Sequence, residues 1–155
     1  MIDTELWSIA KKKPERKKFP LKEEYFKALE AHEKARDFFT KIFPKLKIYM
    51  STLQIAEIYH VLTFRGTRIP KEEALEIIKA IIEDESIVKV PVSLKHVEDA
   101  VKESIKNNIH VWDYLCFIPI KDYIDVVYTC DKHFITIGKC YKVEVINPIN
   151  TWIAI

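Results

Sequence analysis

The sequence predicts an α/β fold in which a parallel sheet is covered by helices on both faces. Short runs rich in β-branched residues alternate along the chain with longer segments of helical periodicity, a pattern typical of parallel sheets. The chain has 155 residues, of which 48% are hydrophobic and 31% are charged. This composition fits one packed core and argues against intrinsic disorder, so we expect residues 1–155 to form a single domain.

Helices are predicted from apolar periodicity and from end signals. The predicted helices span residues 21–43, 51–64, 70–84 and 94–107, and a further helical piece begins at Asp113. Pro44 ends the first of them, because proline cannot continue a helix. Ser51 is followed three positions later by Gln54, which is the spacing of a capping box.

Strands are predicted between these helices. They span residues 47–50, 87–92, 126–129 and 141–146, and a first strand ends at Asp3. Pro91 indicates that the second of these strands ends early or lies at a sheet edge. Only Met1 and Ile2 precede Asp3, so the first strand is expected to be short, or the natural start lies upstream.

The low glycine content excludes two kinds of nucleotide-binding site. The chain contains only two glycines, which excludes the glycine-rich loops that cradle phosphates in P-loop and dinucleotide-binding enzymes. No secretory signal or membrane span is recognisable, so a cytoplasmic location is expected.

Six basic residues within eight positions form either a solvated loop or an arm that attracts polyanions. They are Lys11, Lys12, Lys13, Arg16, Lys17 and Lys18.

Three cysteines are present, and their spacing does not favour a disulfide or a zinc knuckle. Cys116, Cys130 and Cys140 are odd in number and form no C-x-x-C pair. Free, partly buried thiols are the expectation. A zinc site that combines them with His110 or His133 is the alternative.

The most informative residues are acids in apolar surroundings. Glu57 lies on a helix that is apolar almost all round, which predicts a buried carboxylate. Asp131 follows a β-branched strand, where ligand sites of parallel sheets form. Asp113 begins a helix, and Asp3 ends the first strand. Alone, Glu57 is also interpretable as an exposed or arginine-paired glutamate, Asp131 as a turn residue or helix cap, and Asp113 as a helix cap. Asp3 alone carries little information.

Taken together, these four acids predict one metal-binding crevice. Carboxylates that converge within a few ångströms repel each other unless a cation neutralises them. Oxygen ligands alone favour Mg²⁺ or Mn²⁺. We therefore expect Asp3, Glu57, Asp113 and Asp131 to surround a divalent cation.

The order of these residues resembles the PIN-domain ribonuclease family, which includes the VapC toxins. The most specific part is T-x-D-x-x-F, formed by Thr129, Asp131 and Phe134, with Asp113 18 residues before Asp131. The segment from Ser51 to Glu57 is a fair match, and the resemblance covers essentially the whole chain. The bulky helix after Asp113 and the basic stretch 11–18 depart from the family pattern.

The resemblance implies a three-layer α/β/α sandwich around a central parallel sheet of about five strands. It also implies that Asp3, Glu57, Asp113 and Asp131 bind one or two Mg²⁺ or Mn²⁺ ions. Thr129 takes the family's Ser/Thr position, where its hydroxyl orients Asp131 or a metal-bound water. The activity implied is hydrolysis of RNA phosphodiester bonds, with a homodimer and a small antitoxin protein as expected partners.

Charge and aromatic character suggest how RNA would be held. Lys11 to Lys18, together with Arg65 and Arg68, are candidate contacts to the RNA backbone. Trp112 and Tyr114 flank Asp113 and are candidates either for base stacking or for core packing, and core packing is favoured.

Other functions remain open at this stage. One is a PIN-like module that binds RNA or protein with weak or no catalysis. A second is a phosphatase or a structure-specific DNA nuclease, because the same metal chemistry serves any phosphate ester. A third is a helix-rich scaffold in which the acids have no common role.

Overall fold

A computed structural model describes residues 1–153 of the chain. This part of the chain contains seven α-helices and four short strands. The helices are α1 (Thr4–Lys11), α2 (Lys22–Lys41), α3 (Thr52–Phe64), α4 (Lys71–Glu83), α5 (Leu94–Asn107), α6 (Val111–Phe117) and α7 (His133–Tyr141). The strands are β1 (Ile48–Ser51), β2 (Ile87–Val90), β3 (Val126–Tyr128) and β4 (Glu144–Ile146). Three 3₁₀ turns lie at Arg16–Lys18, Phe43–Lys45 and Ile118–Ile120.

The expected three-layer sandwich around a five-stranded sheet is wrong. Residues 1–153 form two separate two-stranded parallel sheets, β1 with β2 and β3 with β4. The expected first strand is reduced to a single bridge between Ile2 and Tyr128, because helix α1 begins at Thr4. Strands of three or four residues offer few hydrogen bonds with which to extend a sheet.

A local arrangement explains why the two sheets stay apart. The side chain of Gln54 donates a 2.7 Å hydrogen bond to the carbonyl oxygen of Ile2, which occupies a backbone group that a neighbouring strand could otherwise use. A cavity of about 320 Å³ lies between the sheet edges, with Ile48 and Tyr49 on one side and Ile2 and Val126 on the other.

Most of the predicted helices are confirmed. Helices α2, α3, α4 and α5 lie within one or two residues of their predicted bounds. Ser51 caps α3 by accepting a hydrogen bond from the Gln54 backbone, but the Gln54 side chain goes to Ile2 instead of completing the box. Helices α1 and α7 are absent from the sequence-based prediction, and α7 reaches Tyr141, which shortens the last strand.

Two apolar clusters of the described chain support the elements around the site. One is built around Leu6, Phe38 and Leu62, which join helices α1, α2 and α3. The other contains Phe117 and Phe134, which anchor α6 and α7. Within residues 1–153, no helix is both long enough and apolar enough to cross a membrane.

Candidate metal centre

All four predicted acids line one pocket of about 230 Å³. Asp3 lies immediately before α1, Glu57 in the middle of α3, Asp113 in the first turn of α6, and Asp131 between β3 and α7. Asp3 and Asp131 are buried, with 8% and 4% of their surface exposed, whereas Glu57 and Asp113 are half-buried. The fold therefore brings acids that are distant in sequence to the same opening.

Thr129 connects two of these acids. Its buried hydroxyl donates a 2.6 Å hydrogen bond to Asp3 Oδ2 and accepts a 2.9 Å hydrogen bond from the backbone N–H of Asp131. One hydroxyl thus fixes the Asp3 carboxylate and the backbone that carries the Asp131 carboxylate.

Glu57 is held by two donors and is less buried than its sequence predicts. The Thr4 hydroxyl donates a 2.6 Å hydrogen bond to Glu57 Oε2, and the Cys116 thiol lies 3.4 Å from the same oxygen as a second donor. Helix α3 buries Ile58 and exposes Ala56, so it has a solvent-facing side. Glu57 lies between these sides and reaches the pocket.

His133, the first residue of α7, joins the acids. Its Nδ1 lies 3.0 Å from Asp113 Oδ2 and 3.5 Å from Asp131 Oδ2. Its backbone N–H donates a 2.8 Å hydrogen bond to Asp131 Oδ1. Asp113, Asp131 and His133 each offer one ligand atom, and these atoms lie within 4.8 Å of one another.

Burial and mutual repulsion raise the pKa of three carboxyl groups at the pocket, those of Asp3, Asp113 and Glu5. Burial raises the pKa of Asp3 well above its usual value, the Thr129 hydrogen bond opposes this, and the charges of Asp113 and Asp131 add to it. The pKa of Asp113 is raised to about 6, because burial and the charge of Asp131 raise it more than His133 lowers it. Burial also raises the pKa of Glu5, which lines the same pocket.

Within residues 1–153, no lysine or arginine forms an ion pair with any of the four predicted acids. The ion pairs of Asp113 and Asp131 are to His133 alone. Buried carboxylates without cationic partners are costly, and a bound cation removes that cost. The donor set of several carboxylate oxygens and one imidazole nitrogen fits a divalent ion such as Mn²⁺ or Mg²⁺.

The basic residues singled out in the sequence do not form one patch at this pocket. Of the eight, Arg65 is the one that lines it in the described chain. Lys12 donates to the carbonyl oxygens of Val61 and Arg65 at 2.6 and 2.8 Å, so it caps the end of α3. Lys17 and Lys18 pair with Glu15.

The remaining basic residues are less constrained. Arg16 donates to the carbonyl oxygen of Phe19. Lys11, Lys13 and Arg68 are exposed. The stretch 11–18 is therefore partly engaged in structural contacts, and Lys11 is the last residue of helix α1.

The two aromatic residues beside Asp113 have different environments. Trp112 is 55% exposed and lines the pocket. Tyr114 is fully buried, and its hydroxyl accepts a hydrogen bond from Asn107 Nδ2 at 2.8 Å. Core packing is confirmed for Tyr114, and Trp112 remains available to a ligand.

The cysteines are free thiols, as expected, and Cys140 is the exposed one. No group of potential metal ligands in residues 1–153 includes a cysteine, so the zinc alternative has no support from the described chain.

Sequence reasoning did not place Glu5 in the pocket, and it named His133 only as a zinc ligand beside the cysteines. His133 belongs to the T-x-D-x-x-F segment, and its position two residues after Asp131 was the available signal. Glu5 follows Asp3 by two residues, but its placement depends on α1, which was not predicted.

No protein-family model matches the sequence, and no curated protein matches it significantly.

Proposed function

We propose that the protein is a Mg²⁺- or Mn²⁺-dependent ribonuclease that hydrolyses phosphodiester bonds at this pocket. The observation that carries the proposal is the convergence of Asp3, Glu57, Asp113 and Asp131 on one opening without a lysine or arginine partner in the described chain. The relation to PIN-domain ribonucleases is part of this proposal. It depends on these acids and on the T-x-D-x-x-F segment.

The proposed roles follow from position. Asp3, Asp113 and Asp131 would hold the cation, with Thr129 keeping Asp3 and Asp131 in place. When bound, a divalent cation polarises a phosphate oxygen and lowers the pKa of a coordinated water. Glu57, which accepts from Thr4 and Cys116, would orient the attacking water and accept its proton.

Two residues at the rim suit a single-stranded nucleic acid. Arg65 is exposed and lines the pocket, so its guanidinium can contact a phosphate of the substrate. Trp112 is exposed at the same opening and can stack on an unpaired base. Because RNA recognition commonly combines phosphate contacts with stacking of unpaired bases, single-stranded RNA is the proposed substrate.

The proposal extends to the cellular context expected from the resemblance. We place the enzyme in the cytoplasm, as a homodimer controlled by a small antitoxin protein. These points are independent of the metal chemistry.

A cleavage assay with matched aspartate variants tests the proposal. End-labelled single-stranded RNA is incubated with Mn²⁺ and wild-type protein, Asp131→Asn or Asp122→Asn. Asp122 is an exposed aspartate beside Lys121, so its variant controls for loss of one carboxylate elsewhere. Cleavage by the wild type and Asp122→Asn, with loss in Asp131→Asn, supports the proposal. Full activity in Asp131→Asn, or binding of RNA without cleavage by the wild type, would overturn it.

A further inference from the structure

Two histidines, His110 and His133, line the pocket, and the ring of His133 lies against its aspartates. Its Nδ1 lies 3.0 Å from Asp113 Oδ2 and 3.5 Å from Asp131 Oδ2. The side chains of His133 and Asp131 are 29% and 5% exposed, so the nitrogen approaches oxygens that are largely withdrawn from solvent.

Two hydrogen bonds hold the backbone at His133 in place. The His133 N–H donates to Asp131 Oδ1 at 2.8 Å, and the Asp131 N–H donates to Thr129 Oγ1 at 2.9 Å. These two bonds tie the first residue of α7 to the acid that precedes it. The His133 backbone is therefore held beside Asp131, and the 3.0 Å contact of Nδ1 with Asp113 Oδ2 directs the ring toward the two aspartates.

Two of the three separations between these donor atoms match those of neighbouring metal ligands. Two donors that are each about 2.1 Å from one cation lie roughly 3.0 to 3.5 Å apart when they are adjacent in an octahedron or a tetrahedron. The two separations that involve His133 Nδ1 are 3.0 and 3.5 Å. All three donor atoms also fall within 4.8 Å of one another.

We propose that His133 supplies a nitrogen ligand, through Nδ1, to the cation held by Asp113 and Asp131, and that this nitrogen makes the site prefer Mn²⁺ over Mg²⁺. This inference rests on the proposed function, since it concerns the same cation. Mg²⁺ favours oxygen ligands and gives up its waters reluctantly. A first-row transition ion accepts imidazole nitrogen readily, so replacing one oxygen by nitrogen favours Mn²⁺.

A single substitution isolates the nitrogen. In His133→Asn, the amide oxygen can occupy the place of Nδ1 at a similar distance from the backbone, so nitrogen is replaced by oxygen while the neighbouring acids stay. The backbone hydrogen bond to Asp131 is retained in this variant. His60→Asn is the matched control, because His60 is an exposed histidine of α3 that does not line the pocket.

Titration calorimetry with Mn²⁺ and with Mg²⁺ measures the preference directly. We expect the wild type and His60→Asn to bind Mn²⁺ at least about tenfold more tightly than Mg²⁺. In His133→Asn, Mn²⁺ affinity should fall roughly 10- to 100-fold, while Mg²⁺ affinity changes by less than about threefold. An unchanged ratio of the two affinities in His133→Asn would overturn the inference.

Pulsed electron paramagnetic resonance of the Mn²⁺-loaded protein tests the ligand itself. A nitrogen bound to Mn²⁺ modulates the electron spin echo, so the ¹⁴N modulation should be present in the wild type and in His110→Asn, and absent in His133→Asn. His110 is the informative comparison, since its ring lies 5.8 Å from that of His133. Modulation that persists in His133→Asn overturns the inference.

The two failures are distinguishable. If Mn²⁺ binds the wild type but His133→Asn leaves the preference and the modulation unchanged, the nitrogen ligand is wrong and the ribonuclease proposal stands. If neither cation binds the wild type at all, the proposed function fails together with this inference.

Discussion

The Thr129 hydroxyl donates a 2.6 Å hydrogen bond to the Asp3 carboxylate and so joins positions 126 residues apart. The same oxygen accepts the backbone N–H of Asp131 at 2.9 Å. One side chain thus contacts both the residue before α1 and the segment between β3 and α7. Since both acids are buried, the pocket depends on this hydroxyl for its shape as well as for its stability.

Replacing Thr129 by valine should therefore destabilise the protein and impair the site. Valine keeps the shape but leaves Asp3 Oδ2 and the Asp131 N–H without a partner, which costs about 1–3 kcal/mol in the free energy of unfolding. Thr129→Ser, which keeps the hydroxyl, should lose much less. Urea denaturation provides the measurement, with Thr136→Val on the exposed face of α7 as control. Equal stability of the valine and serine variants would contradict this role.

Removing the charge of Asp113 should stabilise the protein without metal at neutral pH. Folding raises the pKa of Asp113 from 3.8 to about 6, so the folded state binds more protons between these values. The free energy of unfolding therefore falls as the pH rises from about 4 to 6 and stays lower above that.

Asp113→Asn removes this cost, because asparagine does not ionise. We expect a gain of about 1–3 kcal/mol at pH 8 that vanishes below pH 4, together with loss of RNA cleavage. Urea denaturation at both pH values in the presence of a chelator checks the prediction, and Asp122→Asn should show neither change. A variant that is less stable than the wild type at pH 8 would contradict it.

Millimolar Mn²⁺ should raise the melting temperature of the wild type, and more so at pH 8 than at pH 5. A ligand at about 100 times its Kd stabilises the folded state by about 2.7 kcal/mol, which corresponds to roughly 5–10 °C for a chain of this size. At pH 5 the Asp113 carboxyl, whose pKa is about 6, must release a proton before it can bind the cation, so Mn²⁺ binds more weakly than at pH 8. Differential scanning fluorimetry measures the shift. The same shift in Asp131→Asn, or at both pH values, would argue against a cation at these acids.

Gly138 allows α7 to pack closely on the segment that leads into β4. A Cβ at this position would lie 2.4 Å from Val145 Cγ2 and 2.8 Å from the Val143 carbonyl oxygen. Because the backbone oxygen cannot move aside as a side chain can, Gly138→Ala should cost about 1–3 kcal/mol.

Chemical denaturation of Gly138→Ala gives this cost, with Thr136→Ala on the exposed face of the same helix as control. Since α7 carries His133 at its first position, Mn²⁺ binding should weaken as well. A variant as stable as the wild type would show that α7 can shift away from Val143 without loss.

Local features of the structure could be predicted from the sequence. The bounds of α2, α3 and α5 follow from apolar periodicity, from the Ser51 cap and from the asparagines at 107 and 108, all of which act within a few residues. The four acids could be named for a related reason. Each lies beside apolar residues or at the end of a predicted element, and such positions can be recognised from the sequence alone.

Long-range pairing could not be predicted in the same way. The alternation of strands and helices indicated one parallel sheet, but whether β1 reaches Ile2 depends on the Gln54 side chain, which takes the Ile2 carbonyl instead. The sequence predicts Lys12 to lie in a solvated loop or in a charged arm, yet it caps the end of α3. Both outcomes depend on contacts across about fifty positions of the chain.

The sequence by itself determined where helices begin and end and which carboxylates lie in apolar surroundings, because short-range sterics, capping and periodicity are properties of neighbouring residues. Only the tertiary structure decided that the strands form two small sheets and that His133 lies between Asp113 and Asp131. Those relations depend on how elements that are distant in sequence pack against each other. The packing energy is summed over contacts between segments, so no single segment specifies it.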